Sequence, residues 1–264
     1  MQTSDTIYKY PRTHHIEGSG IQRGDEDLTL IPLREFAGRY LVIEEKMDGA
    51  NCAISFDSTG QLLLQSRGHF LTGGPREKQF HLFKTWAGRY TLELWEVLGD
   101  RYVLYGEWLY AKHTVFYTDL PHYFMEFDIL DKVTGQFLST QRRREFLRVL
   151  PFIVSVKVLY EGVVQTLSEL VSLIGHSHFI SDGQLTILRT TCQSRLFDYE
   201  RVLKETDTSP LMEGLYIKVE EQDEVKERYK YVRSSFLQAV FDSESHWQDR
   251  PILPNRLHPG VELF

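Results

Sequence analysis

The chain has 264 residues, with 30 lysines and arginines against 37 aspartates and glutamates, a net charge of −7. Hydrophobic residues make up 42% and charged residues 25%, the profile of a folded domain rather than a disordered tail. No apolar run approaches the roughly 18 residues of a membrane span, and the acidic balance excludes holding nucleic acid by bulk positive charge.

Residues 1–38 are polar and rich in turn formers, with Pro11, Gly18, Gly20 and Gly24 ahead of Asp25, Glu26 and Asp27. They lack the apolar stretch of a secretion signal, so a cytoplasmic location is expected. Tyr8, Lys9, Tyr10 and Arg12 interleave aromatic and basic side chains, which suits either contact with phosphate or RNA or a packed arm. Short β-prone runs follow at residues 40–44, 52–56 and 62–64, the last two joined by Asp57, Ser58, Thr59 and Gly60 as an antiparallel hairpin. Over residues 76–98, Phe80, Phe83, Ala87, Tyr90, Leu94 and Val97 recur at spacings of three and four, which predicts an amphipathic helix. Strands are expected again at residues 102–105 and 123–129, helices over most of 140–205, and a last strand pair at 214–219 and 228–232. The proline-rich tail, residues 251–259, is expected to wrap irregularly over the surface. Hairpins with helices outside them predict an α+β fold in a single domain, with a polar N-terminal arm at 1–38 and a mostly helical insertion at about 140–205.

Cys52 and Cys192 lie in apolar stretches without a metal-type partner, so reduced, partly buried thiols are expected. The histidines, His14 with His15 and His176 with His178 among them, lack zinc-ligand spacing. Arg142, Arg143 and Arg144 read as a solvated helix face or as part of a nucleic-acid path.

The strongest local feature runs from Glu44 to Asn51 and centres on Lys46 at a strand end, followed by Asp48 and Gly49 in a turn. A lysine is a nucleophile once its pKa falls far enough to free the lone pair. Glu44 and Glu45 alone would raise that pKa, so Lys46 needs compensating positive charge from elsewhere. Taken alone, the same residues also read as a surface turn with a solvated salt bridge.

Five further elements follow in order. Lys46 to Asn51 fits K-x-D/H-G-x-N, and Ser66, Arg67 and Gly68 fit S-R-G. Gly106 and Glu107 form a G-E element, and Phe127, Asp128 and Ile129 an F-D-I strand. Glu213 to Lys218 fits E-G-x-x-x-K, and Arg228, Tyr229 and Lys230 stand where a K-x-K element is expected, with arginine for the first lysine. This series resembles the covalent nucleotidyltransferases, the superfamily of ATP-dependent ligases and mRNA capping enzymes. Its nearest likeness is to ATP-dependent RNA ligases of the RNA-ligase-2 type.

The resemblance implies a nucleotidyltransferase (ATP-grasp-like) domain of antiparallel sheets flanked by helices. It implies ATP and Mg²⁺ or Mn²⁺ as cofactors, and RNA with 3′-OH and 5′-phosphate ends as partner. Lys46 would attack the α-phosphorus of ATP. Lys218 and Lys230 would neutralise the phosphate and help depress the Lys46 pKa, with Arg228 beside them. Glu107 and Glu213 would hold the metal. Asn51 would position phosphate or metal-bound water, Arg67 the ribose-phosphate, and Glu45 the base edge. Phe127 would stack on adenine, with Phe124 as the other candidate. Taken singly, Phe127 reads as a core aromatic, Glu107 and Glu213 as strand ends, and Arg67 as a turn residue. Only 34 residues follow Lys230, too few for the OB domain of DNA ligases, and a small helical C-terminal domain is not expected either. A DNA ligase, a GTP-dependent capping enzyme and a non-catalytic sensor of RNA ends are the alternatives. End healing would fall to a separate kinase or phosphatase, and no membrane partner is expected.

Overall fold

The computed structural model describes residues 6–21, 24–242 and 250–264. Strands β1 (His14–His15), β2 (Tyr40–Lys46), β3 (Ala50–Phe56), β4 (Leu62–Ser66), β5 (Tyr102–Trp108) and β6 (Phe124–Asp131) come first along the chain. They are followed by β7 (Gln136–Leu138), β8 (Val154–Ser155), β9 (Val158–Val163), β10 (Gly214–Glu221) and β11 (Glu224–Val232). One sheet runs in the order β4-β3-β5-β6-β7-β11-β10-β2-β9, with β1 and β8 added in parallel on β11 and β6.

That order has a consequence for the site. β2 and β3 are joined by only Met47, Asp48 and Gly49, yet they stand six places apart in the strand order. The sheet therefore curls until its two halves face each other, and short β7 is the seam that keeps it continuous. Hydrophobic alternation drives the packing. Ile54, Phe56, Leu104 and Ile129 bury one half against α1 (His81–Arg89) and α2 (Thr91–Leu98), which contribute Phe83, Trp86 and Leu94. A second cluster buries Ile43, Leu215 and Ile217 under Ile16, Leu33 and Phe36 from the N-terminal stretch.

The expected strands are all present. The hairpin between β10 and β11 turns through Gln222 and Asp223, both with positive φ (51° and 67°), as tight antiparallel connections require. Three expectations change. The helix at 76–98 is a 3₁₀ turn at Pro75–Phe80, then α1 and α2, broken at Tyr90. There the Thr91 hydroxyl donates to the Gly88 carbonyl (2.8 Å) and Tyr90 stacks on Phe152 at 4.0 Å, while the apolar face continues through the break.

The 140–205 stretch is not mostly helical. It holds α3 (Thr140–Leu147), then β8 and β9, then α4 (Leu167–Val171), α5 (Gln184–Ser194) and α6 (Tyr199–Lys204). β9 is an edge strand with little full burial, so its sequence shows no apolar alternation; pairing with β2 makes it a strand. The arm packs onto the sheet, one of the two readings its sequence allows: Tyr10, Thr13, His15 and Ile16 are buried. The tail is built in rather than draped. The Asn255 side chain accepts from the Tyr117 amide (3.0 Å) and donates to the Leu109 carbonyl (2.8 Å), and Leu253 is buried. A seventh helix, α7 (Ser234–Asp242), follows β11 directly. Cys52 and Cys192 are free and buried, and among the described residues no helix is long and apolar enough to cross a membrane.

Candidate active site

Strand register orders the site. Residues opposite one another on neighbouring strands share a face, and successive rows lie about 7 Å apart. Across β2, β10 and β11 the first row is Lys46, Gly214 and Val232, the second Glu44, Tyr216 and Lys230, and the third Val42, Lys218 and Arg228. The facing half supplies Asn51 and Glu107, directly paired between β3 and β5. A cavity of about 840 Å³ lies within the curl, lined by Lys46, Asn51, Glu107, Phe127, Glu213 and Lys230 among others.

Two glycines allow the close approaches around the site. A Cβ on Gly49 would stand 2.7 Å from the Trp108 carbonyl, and one on Gly214 only 1.9 Å from the Tyr231 carbonyl. The turn that carries Lys46 is pinned by Asp48. Its carboxylate accepts from the Thr114 and Val115 amides, each at 2.7 Å, and its own amide donates to the Tyr117 hydroxyl at 2.8 Å.

Lys46 Nζ donates to Glu213 at 2.6 Å. Burial presses the ammonium down, but Glu213, then Glu107 and Asp48, outweigh it and hold Lys46 above the ordinary lysine value. Crowding acts on the acids in turn. Burial raises Glu107 to about 8 and Glu213 to about 7, against the pull of Lys46, and each pushes up further because the other carboxylates lie close. The expectation that neighbouring cations depress Lys46 is therefore corrected: its carboxylate neighbours prevail. Lys230 does face Lys46, and burial followed by Lys46 lowers its own pKa. Yet its ammonium is held by Asp25 of the arm, which cancels much of its charge.

The other expected residues divide into two groups. Arg67 is exposed at the cavity rim, and Asn51 presents a buried amide oxygen. Phe127, not Phe124, reaches the cavity. β6 pairs Asp128 with Tyr105 and Glu126 with Gly106, which leaves Phe127 as the extra residue of a bulge and turns its ring out of the ladder. Phe124 is fully buried and stacks on Phe83 at 5.5 Å. Glu45 lines the cavity, but its carboxylate is committed to the 177–178 turn, accepting from Ser177 Oγ (2.5 Å) and the His178 amide (3.2 Å).

Lys218 and Arg228 do not line the cavity, and their expected contact with the phosphate is corrected. They occupy the third row, where Lys218 pairs with Glu44 (2.9 Å) and Asp128 (3.3 Å) and Arg228 with Asp128 (2.9 Å). Arg143 is likewise no surface residue: it is buried between Glu44 (2.7 Å) and Glu126 (2.8 Å). Tyr10 and Tyr216 also line the cavity; Tyr10 lies in the basic and aromatic run of the arm, whereas Tyr216 carried no sequence signal. Tyr216 stands at an unspecified position inside E-G-x-x-x-K, and only the second row reveals it.

No curated protein matches the chain. Solved structures do. A lysine-to-alanine mutant of the Naegleria gruberi RNA ligase, with ATP and Mn, is 16% identical with a TM-score of 0.52, over 80% of this chain and 54% of the other. A glutamate-to-alanine mutant of that ligase, also with ATP and Mn, is 15% identical with a TM-score of 0.55, over 88% of this chain and 58% of the other. The chain thus spans little more than half the length of these ligases, and the likeness is one of fold. A model of the RNA ligase family matches residues 39–232, well over half of the chain, and that range contains all six sequence elements gathered around the cavity: the chain belongs to the RNA ligase family.

Proposed function

We propose that the chain is an ATP-dependent RNA ligase that joins 3′-OH and 5′-phosphate ends through a lysyl-AMP intermediate. The observation that carries this reading is Lys46, held by Glu213 inside a cavity that also offers Phe127, Asn51 and Glu107. Structures of the Naegleria ligase hold ATP with Mn, AMP with Mn, and pyrophosphate, the substrate and both fragments of such a first step.

Once deprotonated, Lys46 Nζ would attack the α-phosphorus, forming a P–N bond as the P–O bond to pyrophosphate breaks. Lys230, released from Asp25, would meet the phosphate. Phe127 would stack on the base, Arg67 at the rim would receive the 5′-phosphate of the RNA, and Asn51 would orient phosphate oxygens. AMP would then pass to the 5′-phosphate, and the 3′-OH would displace it.

The donor set suits a divalent cation. Glu107 and Glu213 are two carboxyl groups whose pKa values burial raises against the pull of Lys46, and for Glu213 of Lys230 as well; a bound divalent cation would favour their ionised forms. Among the described residues no three or more His, Cys, Asp or Glu side chains converge as a metal cage, so water and phosphate oxygens would complete the ion's shell. When bound, the ion supplies charge neutralisation at the phosphates.

Incubation with α-labelled ATP and Mg²⁺ or Mn²⁺, followed by a denaturing gel, tests the reading. The wild type is expected to carry acid-labile label and Lys46→Ala none; equal labelling of both removes Lys46 as nucleophile. A chase with 5′-phosphorylated RNA or DNA strands, and a parallel labelling with GTP, separates an RNA ligase from a DNA ligase or a capping enzyme. Nucleotide binding without any covalent adduct would mark a non-catalytic sensor.

A further inference from the structure

The family match begins at residue 39, but the cavity wall begins earlier, with Tyr10, Pro11 and Thr13. These residues are fixed by β1, which adds to β11 with His15 opposite Lys230. The Tyr10 ring is buried among three others, edge-on to Phe127 (5.1 Å, 81°), Tyr105 (5.1 Å) and Phe137 (5.8 Å). Its hydroxyl donates to Asp128 and shares a hydrogen bond with the Tyr216 hydroxyl (2.7 Å), which lies 3.0 Å from Thr13 Oγ1. Asp128 in turn holds Arg228, whose guanidinium lies 3.7 Å over the Phe137 ring.

One side chain thus touches both aromatic walls of the cavity. A bulge residue lacks the ladder bonds that would orient it. The described ring contacts of Phe127 are Tyr10 and, at 6.4 Å, Tyr216. Tyr10 props the first by its ring and ties the second by its hydroxyl. The same hydroxyl shares Asp128 with Arg228, so the arginine that replaces the expected lysine is fastened behind the wall instead of reaching phosphate.

We infer that Tyr10, from the arm outside the family match, is a positioning residue for the nucleotide: it sets Phe127 and Tyr216 at the spacing that receives the base. This rests on the nucleotide-binding reading above. A wall set out of place is expected to weaken binding about fivefold, equivalent to about 1 kcal/mol.

The test measures ATP affinity by calorimetry in a Lys46→Ala background, where no covalent step intervenes. Tyr10→Phe keeps the ring and is expected to weaken ATP about fivefold, and Tyr10→Ala more. With Lys46 intact, Tyr10→Phe raises the KM for ATP in adenylylation by a similar factor while kcat stays within about twofold. Leu33→Ala, which loosens the arm's core away from the cavity, controls for stability. ATP affinity unchanged in Tyr10→Phe, or weakened equally by Leu33→Ala at matched stability, overturns the inference. If the Lys46→Ala parent binds neither ATP nor AMP, the proposed function itself fails, and the inference with it.

Discussion

Glu44 and Lys46 stand two residues apart on one face of β2 and belong to charge clusters of opposite character. Behind the cavity, three carboxylates (Glu44, Glu126 and Asp128) meet three cations (Arg143, Lys218 and Arg228), all withdrawn from solvent. Charge there is balanced. Burial works against ionisation of Asp128, yet Lys218 and Arg228 hold its pKa below the usual carboxylate range, while burial lifts Glu126 against the pull of Arg143 and Lys218. In the cavity, Lys46 faces Glu213, Glu107 and Asp48, and both glutamates are driven up, Glu107 to about 8 and Glu213 to about 7. The closed cluster has what it needs within the chain. The open one leaves two glutamates raised to about 8 and about 7 on the wall of a cavity of about 840 Å³.

Removing one cation from the balanced cluster should break the fold rather than the chemistry. Arg143→Ala strands Glu44 and Glu126 without a partner, and the loss of a partner from a buried pair costs about 3–5 kcal/mol. Urea unfolding should register that loss. A cost under about 1 kcal/mol would mean that the network is no more than a set of solvated pairs.

The two phenylalanines of β6 sharpen the same contrast at smaller scale. Phe124→Leu should lower stability by about 1–2 kcal/mol through lost packing on Phe83 and Trp86, with little change in ATP affinity. Phe127→Leu should do the reverse, weakening ATP about tenfold at nearly unchanged stability, because its ring faces the cavity. Equal effects of the two on ATP binding would remove Phe127 from the base wall.

Much of the cavity was legible in the sequence because its chemistry sits in short runs. Lys46 with Asp48 and Gly49, Glu107 after Gly106, and Glu213 before Gly214 each place a charged group beside a glycine that lets strands close up. What escaped works across distance. Tyr10 meets Asp128 and Tyr216 over separations of 118 and 206 residues, and no local pattern announces such a contact. Lys218 was misplaced for a related reason. Period two correctly puts Gly214, Tyr216 and Lys218 on one face, but which row is open and which is roofed depends on Asp128 from another strand and on the arm. β9 was hidden because an edge strand shows no buried face in its sequence.

The smallest effect concerns pH and follows from the two raised carboxyl groups. Glu107 and Glu213 titrate near 8 and 7 in the folded protein, above the 4.5 of a free glutamate. A carboxyl group whose folded pKa is raised contributes stability that is fully present below pH 4.5 and is lost as pH rises through the folded values. The metal-free protein should therefore lose stability between about pH 5 and pH 8 through these two groups. A divalent ion that binds their ionised forms competes with protons, so its stabilisation grows over the same window. Melting curves with and without 5-fold to 10-fold saturating Mg²⁺ or Mn²⁺ should differ by about 1 kcal/mol at pH 8 and by less at pH 6. Glu107→Gln with Glu213→Gln should flatten both trends. A metal effect that is the same at the two pH values would place the ion elsewhere than between these glutamates.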